Sequence, residues 1–219
     1  MMDFNKIEAY LDSPDPQSRM KALVQLREYD AEQVVPLLKR RMYDKEFVVR
    51  SFVAMGLGNK QTEEGFNALL DIINTDRDPN VVAEAANSLA KFGDRAIPHL
   101  VTLFEQNDHW LIRQSIFAAF DGAAHPDLLL KLCRWGFEGD DLVVQNSAIA
   151  QLGQLADTSQ ASAALAILCQ GAISDAGMIR AQTARTLQQF DDPQAKAALM
   201  DLRQDTDMSV VGATLEGLL

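Results

Sequence analysis

One position recurs along the chain at a nearly constant interval, and this recurrence constrains the fold more than any other feature. The position, here called the arginine slot, is occupied by Arg19, Arg50, Val82, Arg113, Gln145, Arg180 and Val211. Successive spacings are 31, 32, 31, 32, 35 and 31 residues. A period of this length is typical of helical repeat arrays, in which each unit packs mainly on its neighbours.

Apolar residues occupy the positions one before, three after and seven after most of the slots. These offsets lie on one face of an α-helix. Four residues before the slot an acid stands in five of the seven units, and Asp15 and Asp78 are each followed by proline. Aspartate followed by proline favours a helix start, because the carboxylate accepts from free N–H groups and proline has no N–H to satisfy. Each unit is therefore predicted to be a helix A, a short turn and a helix B.

The predicted fold is all-α, a right-handed α–α superhelix of about seven helical hairpins that form a single domain over residues 1–219. Its units are expected at about 1–30, 31–61, 62–93, 94–124, 125–156, 157–191 and 192–219. We expect Pro36 and Pro98 to bend their A helices. The one spacing of 35 residues predicts a longer surface loop near residues 156–159 rather than a hinge.

The net charge of −11 argues against a nucleic-acid or anionic-membrane partner, because phosphate binding depends on clustered lysine and arginine. Basic residues are scattered, and the only run is Lys39-Arg40-Arg41. The chain has no stretch of 18 uncharged apolar residues, and it begins without the apolar segment of a secretion signal. We therefore expect a cytoplasmic protein that does not insert into membranes.

Most patterns that carry catalysis or metal binding are absent from the sequence; a Ser–His–Asp arrangement stays open, although no nucleophile elbow occurs. The three histidines and the two cysteines, Cys133 and Cys169, do not have the spacing of a zinc site, and both thiols are expected to be free. Gly56-Leu57-Gly58 follows no strand, so it is not a phosphate loop. We predict no catalytic and no metal-binding residues, and a function that depends on binding.

Candidate binding residues come from the positions one, two and five after the slot, which are predicted to be exposed on the B helices. Phe52 and Met55 are apolar there, which is typical of a binding surface, although a register error of one residue would make them core. A second apolar series, three before the slot, contains Phe47, Trp110 and Leu142. These side chains either pack on the preceding turn or anchor a partner.

The slot arginines also have two interpretations. Arg50, Arg113 and Arg180 either bridge to acids of neighbouring turns or bind carboxylates of a ligand bidentately. The complete set of candidate partner- or ligand-binding residues is Phe47, Arg50, Phe52, Met55, Asn87, Trp110, Arg113, Gln114, Phe117, Leu142 and Asn146.

The repeat resembles the HEAT-like repeats of the phycobilisome-lyase family along the whole chain. The similarity is greatest at 44–58, 108–122 and 140–153, and Val82, Gln145 and Val211 depart from the family's arginine. Relatives include subunits of E/F-type bilin lyases, which attach or transfer phycobilins at phycobiliprotein cysteines, proteins of phycobilisome degradation, and scaffolds linked to iron–sulfur cluster assembly. The family has no compact catalytic motif that maps onto this chain.

The resemblance implies a protein that binds a phycobiliprotein subunit, with or without bilin, in chromophore handling or phycobilisome turnover. No cofactor is required. Phycocyanobilin or another linear tetrapyrrole is a candidate transient ligand, its propionates held by the arginines and its rings stacked on Trp110, Phe117 and Phe52. Any enzymatic activity would be that of a bilin lyase or a lyase subunit. The alternative is a non-catalytic scaffold for an assembly factor, such as an iron–sulfur cluster carrier.

Overall fold

The structure is a computed structural model that describes residues 3–122 and 124–216. All regular secondary structure in these ranges is helical, with 14 α-helices and three short 3₁₀ helices. The fold is that of an all-α helical solenoid, as the repeat predicts. No described helix is both long and apolar enough to span a lipid bilayer.

The chain forms two compact units, Met1–Ala119 and Phe120–Leu219. The first unit contains eight helices: α1 (Phe4–Leu11), α2 (Pro16–Gln25), α3 (Ala31–Lys39), α4 (Phe47–Lys60), α5 (Glu63–Thr75), α6 (Pro79–Ala90), α7 (Ile97–Gln106) and α8 (Trp110–Ala119). The second contains six: α9 (Pro126–Glu138), α10 (Leu142–Gln151), α11 (Ala161–Gly171), α12 (Gly177–Leu187), α13 (Pro193–Leu202) and α14 (Met208–Leu215). Odd-numbered helices are the predicted A helices and even-numbered ones the B helices. The repeat boundaries stay predictions.

Within each unit, B helices pack side by side and each also contacts an A helix. In the first unit α4 packs on α6 and α6 on α8, and in the second α10 packs on α12 and α12 on α14. The columns one before, three after and seven after the slot form this core, and within the described residues Ser18 is their only member that is not buried. Leu218, the last member predicted for these columns, lies outside the described residues.

Four of the five acids in the column four before the slot cap their B helices, whereas Glu46 forms no side-chain cap hydrogen bond at the start of α4. The Asp15 carboxylate accepts from the backbone N–H groups of Gln17 and Ser18, and Asp141 does the same for the first turn of α10. Asp78 and Asp207 each accept one such bond. At α8 the cap is His109, whose Nδ1 accepts from the Leu111 N–H at 3.3 Å. These side chains satisfy donors that a helix leaves without partners.

Pro36 lies inside its A helix as predicted, and the bend expected there stays a prediction, whereas the prediction for Pro98 is wrong. Pro36 lies inside α3, where it removes one helical N–H. Pro98 lies in the first turn of α7, because a 3₁₀ turn at Gly93–Arg95 delays the start of that helix. Proline is tolerated at this position, since the first N–H groups of a helix have no intrahelical acceptor. The extra residues of the longest repeat form the turn over 156–160, between Leu155 and α11, as expected.

Candidate functional site

Arg50 closes its own turn and also holds the next one. Its Nη1 donates to the carbonyl oxygen of Asp44 at 2.8 Å, six residues back. Its Nε and Nη2 donate to the two carboxylate oxygens of Asp76 at 2.6 and 3.0 Å. Because this fork is already occupied by an aspartate, the structure supports the bridging interpretation of Arg50 over the ligand-binding one.

The same arrangement recurs at Arg19 and Arg180. Arg19 donates to the carbonyl of Ser13 and to the carboxylate of Asp44, and Arg180 donates to the carbonyl of Ser174 and bidentately to Asp205. The Arg180 hydrogen bonds hold the pKa of the Asp205 carboxyl below its usual value.

The acid that Arg19, Arg50 and Arg180 each reach stands six residues before the next slot, in a column that was not identified from the sequence. Arg113 departs from this rule, because the equivalent position after it is Gly139. Where the slot is not arginine, this acid is also absent: Asn107 follows Val82, and Ser174 follows Gln145. Gln145 still closes its own turn, since its Nε2 donates to the Gly139 carbonyl at 2.5 Å. Comparing the turn positions between repeats would have revealed this pairing from the sequence.

Two of the candidate residues, Arg113 and Phe117, both lie against the ring of Phe104. Arg113 donates from Nε to the Asn107 carbonyl at 2.9 Å, and its guanidinium lies 4.8 Å from the centre of the Phe104 ring. Phe117 is 1% exposed and packs edge-on against Phe104, with ring centres 5.0 Å apart. The prediction that Phe117 offers a stacking surface is therefore wrong. It stands four residues after the slot, in a column that is apolar in every unit and buried in all of them except at Leu215.

Two adjoining cavities in the first unit share Val24 and Phe52 as lining residues, and together we call them the α2–α4 groove. Its apolar lining includes Met20 and Val24 of α2 and Phe52, Met55 and Gly56 of α4. Val24 is 47% and Met55 40% exposed, whereas Phe52 and Met20 are half-buried. The predicted exposure of Met55 is confirmed, and Phe52 is not a core residue. Met20 and Val24 were missed, although they occupy slot-relative positions predicted to be exposed.

The charged side chains that line the α2–α4 groove are all cationic. They are Lys21, Arg27 and Lys60, and the lining contains no aspartate or glutamate. Lys60 donates to the backbone carbonyls of Arg27 and Tyr29. The chain has 31 acidic and 20 basic residues, so the positive charge of this surface is opposite in sign to the net charge of the whole chain.

The starts of several B helices expose a second apolar series. Phe47 and Trp110 in the first unit are each 42% exposed, and Leu142 in the second is 47% exposed. They therefore reach solvent rather than disappearing beneath the preceding turn. Met178 and Met208 continue the series on α12 and α14, at 48% and 77% exposure. Both were missed, although they stand two and three residues before their slots.

The polar candidates lie on the same helices without forming a cluster of their own. Asn87 is exposed on α6, and Gln114 and Asn146 are half-buried on α8 and α10. Glu84, on α6 at the position equivalent to Phe52, has a carboxyl pKa raised by burial.

Neither cysteine is bonded to another, as expected. Cys133 is buried and Cys169 half-buried, and burial raises the pKa of both thiols. Among the described residues, no group of three or more His, Cys, Asp or Glu side chains could hold a metal ion.

Comparison with known proteins agrees with this helical architecture. Residues 36–120 match the family model described as HEAT repeats. No curated protein sequence is significantly similar to the chain.

Several solved structures share the fold at low sequence identity. YibA of Escherichia coli is 16% identical with a TM-score of 0.67, over 97% of this chain and 80% of that one. The complex of CpcE and CpcF of phycocyanin lyase from a Nostoc species is 19% identical with a TM-score of 0.54, over 100% of this chain and 96% of that one. Mini spindles TOG3 of Drosophila melanogaster is 14% identical with a TM-score of 0.54, over 87% and 95%. At such identities the similarity concerns the fold alone.

Proposed function

We propose that this HEAT-repeat chain is a protein-binding module whose partner is a phycobiliprotein subunit, bound in chromophore handling or phycobilisome turnover. The observation that carries the binding role is the α2–α4 groove, where Val24, Phe52 and Met55 present apolar surface on the B-helix face. Contiguous apolar surface of this kind marks interaction sites on soluble proteins.

The choice of partner rests on the family resemblance and on the shared fold with the CpcE–CpcF complex of phycocyanin lyase. That protein is a complex of two chains. The proposal for the present chain is binding alone, since no catalytic residue is assigned to it.

A linear tetrapyrrole is part of the proposal as a transient ligand. Arg50 and Arg180 already hold Asp76 and Asp205, so they are not its propionate partners in this arrangement. Phe52 and the exposed Trp110 are the aromatic surfaces that a bound pigment would use.

The proposal is tested by retention of purified phycocyanin subunits, with and without chromophore, on the immobilised chain. We expect retention of the subunit, and a loss of roughly tenfold or more in affinity for the Phe52→Ala/Met55→Ala double variant, because buried apolar anchors dominate interface energies. Ile173→Ala/Met200→Ala is the matched control, since these two side chains are 84% and 63% exposed outside the groove. Trp110→Ala tests the second apolar series in the same way.

The outcomes separate the two function classes. No retention of either subunit form rejects the phycobiliprotein proposal, and retention of an iron–sulfur cluster carrier instead supports the scaffold alternative. Phycocyanobilin added to the pure chain is expected to shift its visible absorbance. An unchanged spectrum at high micromolar pigment rejects the pigment part alone.

A further inference from the structure

One face of α2 and one face of α4 line the α2–α4 groove. On α2 the lining residues Gln17, Met20, Lys21 and Val24 follow the spacing of one helix face, and on α4 Phe52, Met55 and Asn59 do the same. Gly56 opens the floor, since a Cβ there would lie 2.9 Å from Cδ2 of Leu38. Two facing helices with an apolar floor form the kind of groove that accepts the apolar face of a third helix.

The length of the groove sets the size of its occupant. Along the chain the α2 side runs from Gln17 to Arg27, which corresponds to about 15 Å of helix. This is close to three helical turns, so an occupant would place three or four apolar side chains at the i, i+3, i+4 and i+7 spacing.

The charged residues of the groove favour a particular charge on the residues beside the apolar face of a bound helix. Lys21 and Arg27 are exposed, and no carboxylate lies within ion-pair distance of either in the described part of the chain. Lys21 is still close enough to Asp15 to contribute to the lowering of that carboxyl's pKa, mainly an effect of the Ser18 hydroxyl. Glu84 stands on α6, on the far side of α4 from α2. Acidic residues of a bound helix are therefore favoured on the side that lies near α2 and disfavoured on the side that lies near α6.

We infer that the α2–α4 groove binds an acidic amphipathic helix of the partner protein. Apolar side chains of that helix cover Met20, Val24, Phe52 and Met55, and its carboxylates lie along Lys21 and Arg27. This inference rests on the proposed function for the existence of a protein partner, and it adds where that partner binds and which chemistry it presents.

The test uses fluorescein-labelled peptides of about 18 residues, long enough to form helix on their own. One carries leucines on one helix face with flanking glutamates, a second has lysine in place of each glutamate, and a third has the leucines distributed around the helix. Fluorescence anisotropy with the full chain is expected to give the tightest binding for the first peptide. Its affinity should fall as the salt concentration rises, because exposed charges are screened.

Charge-reversal variants locate the site. Lys21→Glu/Arg27→Glu is expected to weaken the acidic peptide by roughly tenfold or more, since a favourable charge pair becomes a repulsive one. The control Lys45→Glu/Arg203→Glu changes the net charge equally at exposed cations that do not line the groove, and should leave binding unchanged. All four positions are exposed, so folding is retained, and circular dichroism verifies it.

Several results overturn the inference. They are absence of acidic-peptide binding at high micromolar chain, tighter binding of the lysine peptide, or equal weakening by both double variants. Phycocyanin retention by the wild type and by Lys21→Glu/Arg27→Glu alike would sustain the proposed function and remove this groove as its site. Acidic-peptide binding without phycocyanin retention would sustain the groove and remove the phycobiliprotein.

Discussion

At the scale of single residues, the arginine slot combines two tasks that can be lost separately. Arg50 closes the turn before its helix and forms an ion pair with the next turn, whereas Gln145 does only the first. At Val82 the ion-pair task is gone, and Asn107 stands where its acid would be. Replacing both members of a buried pair by uncharged groups is often close to neutral, whereas removing one leaves a buried charge without its partner.

Arg50→Ala is predicted to lower the free energy of unfolding by about 2–4 kcal/mol, because it strands the carboxylate of Asp76, whose side chain is 8% exposed. Urea titration followed by circular dichroism measures the change. The comparison variant is Arg185→Ala, which breaks the exposed pair with Glu216, where both side chains are more than 40% exposed. It should cost less than about 1 kcal/mol. Equal losses in the two variants would contradict the bridging role of Arg50.

At the scale of the elements, packing between B helices depends on a close approach at Gly58. A Cβ built there would lie 2.5 Å from Cβ and 2.8 Å from Cα of Ser88, so α4 and α6 meet nearly backbone to backbone. Gly212 of α14 is the opposite case, because a Cβ there meets nothing within 4 Å. The two glycines share a helical setting and differ in what surrounds them.

Gly58→Ala is predicted to destabilise the fold by about 1–3 kcal/mol, because overpacking outweighs the gain in helix propensity. Gly212→Ala should stabilise it by roughly 0.5–1 kcal/mol, since only the propensity gain applies. Thermal unfolding of both variants measures the difference. If Gly58→Ala proved as stable as Gly212→Ala, the close approach of α4 and α6 would not be a feature of the folded protein.

Helix positions could be predicted from the sequence because the 31-residue period reports which face of each helix is buried. Which neighbour fills a given space cannot be read from that period. Phe117 was proposed as a stacking surface, although it stands in an apolar column and packs on Phe104. The Asp76 partner of Arg50 was missed for a related reason, since it lies in a turn of the next repeat. The groove was predicted through Phe52 and Met55 but not through Val24 or its cationic rim.

At the scale of the whole molecule, the many carboxylates make the free energy of unfolding depend on pH in the acid range. Hydrogen bonds from arginines hold the pKa values of Asp205, Glu63 and Glu216 below their ordinary values of 3.8 to 4.5. A lowered pKa in the folded state contributes stability that is present above the unfolded pKa and lost as pH falls through the folded one. This contribution is therefore complete at neutral pH, begins to be lost near the unfolded pKa values of about 4, and is gone only below the lowered pKa values of the folded state.

Unfolding free energies measured between pH 7 and pH 2 are predicted to be flat near neutrality and to fall steeply in the acid range. Asp205→Asn should make the acid part of the curve shallower, because one coupled proton is removed. Asp201→Asn, at an exposed aspartate of α13, serves as its control and should leave the slope unchanged. An unaltered slope in Asp205→Asn would mean that the Arg180 pair is not formed in solution.

The paired absence of arginine and acid has a consequence for comparing related chains. A lineage that loses the cation at one repeat keeps an uncompensated carboxylate in the next, and selection then favours losing that as well. Positions 50 and 76, or 180 and 205, should consequently vary together among homologues, whereas either one should vary independently of the cationic rim around Val24 and Phe52.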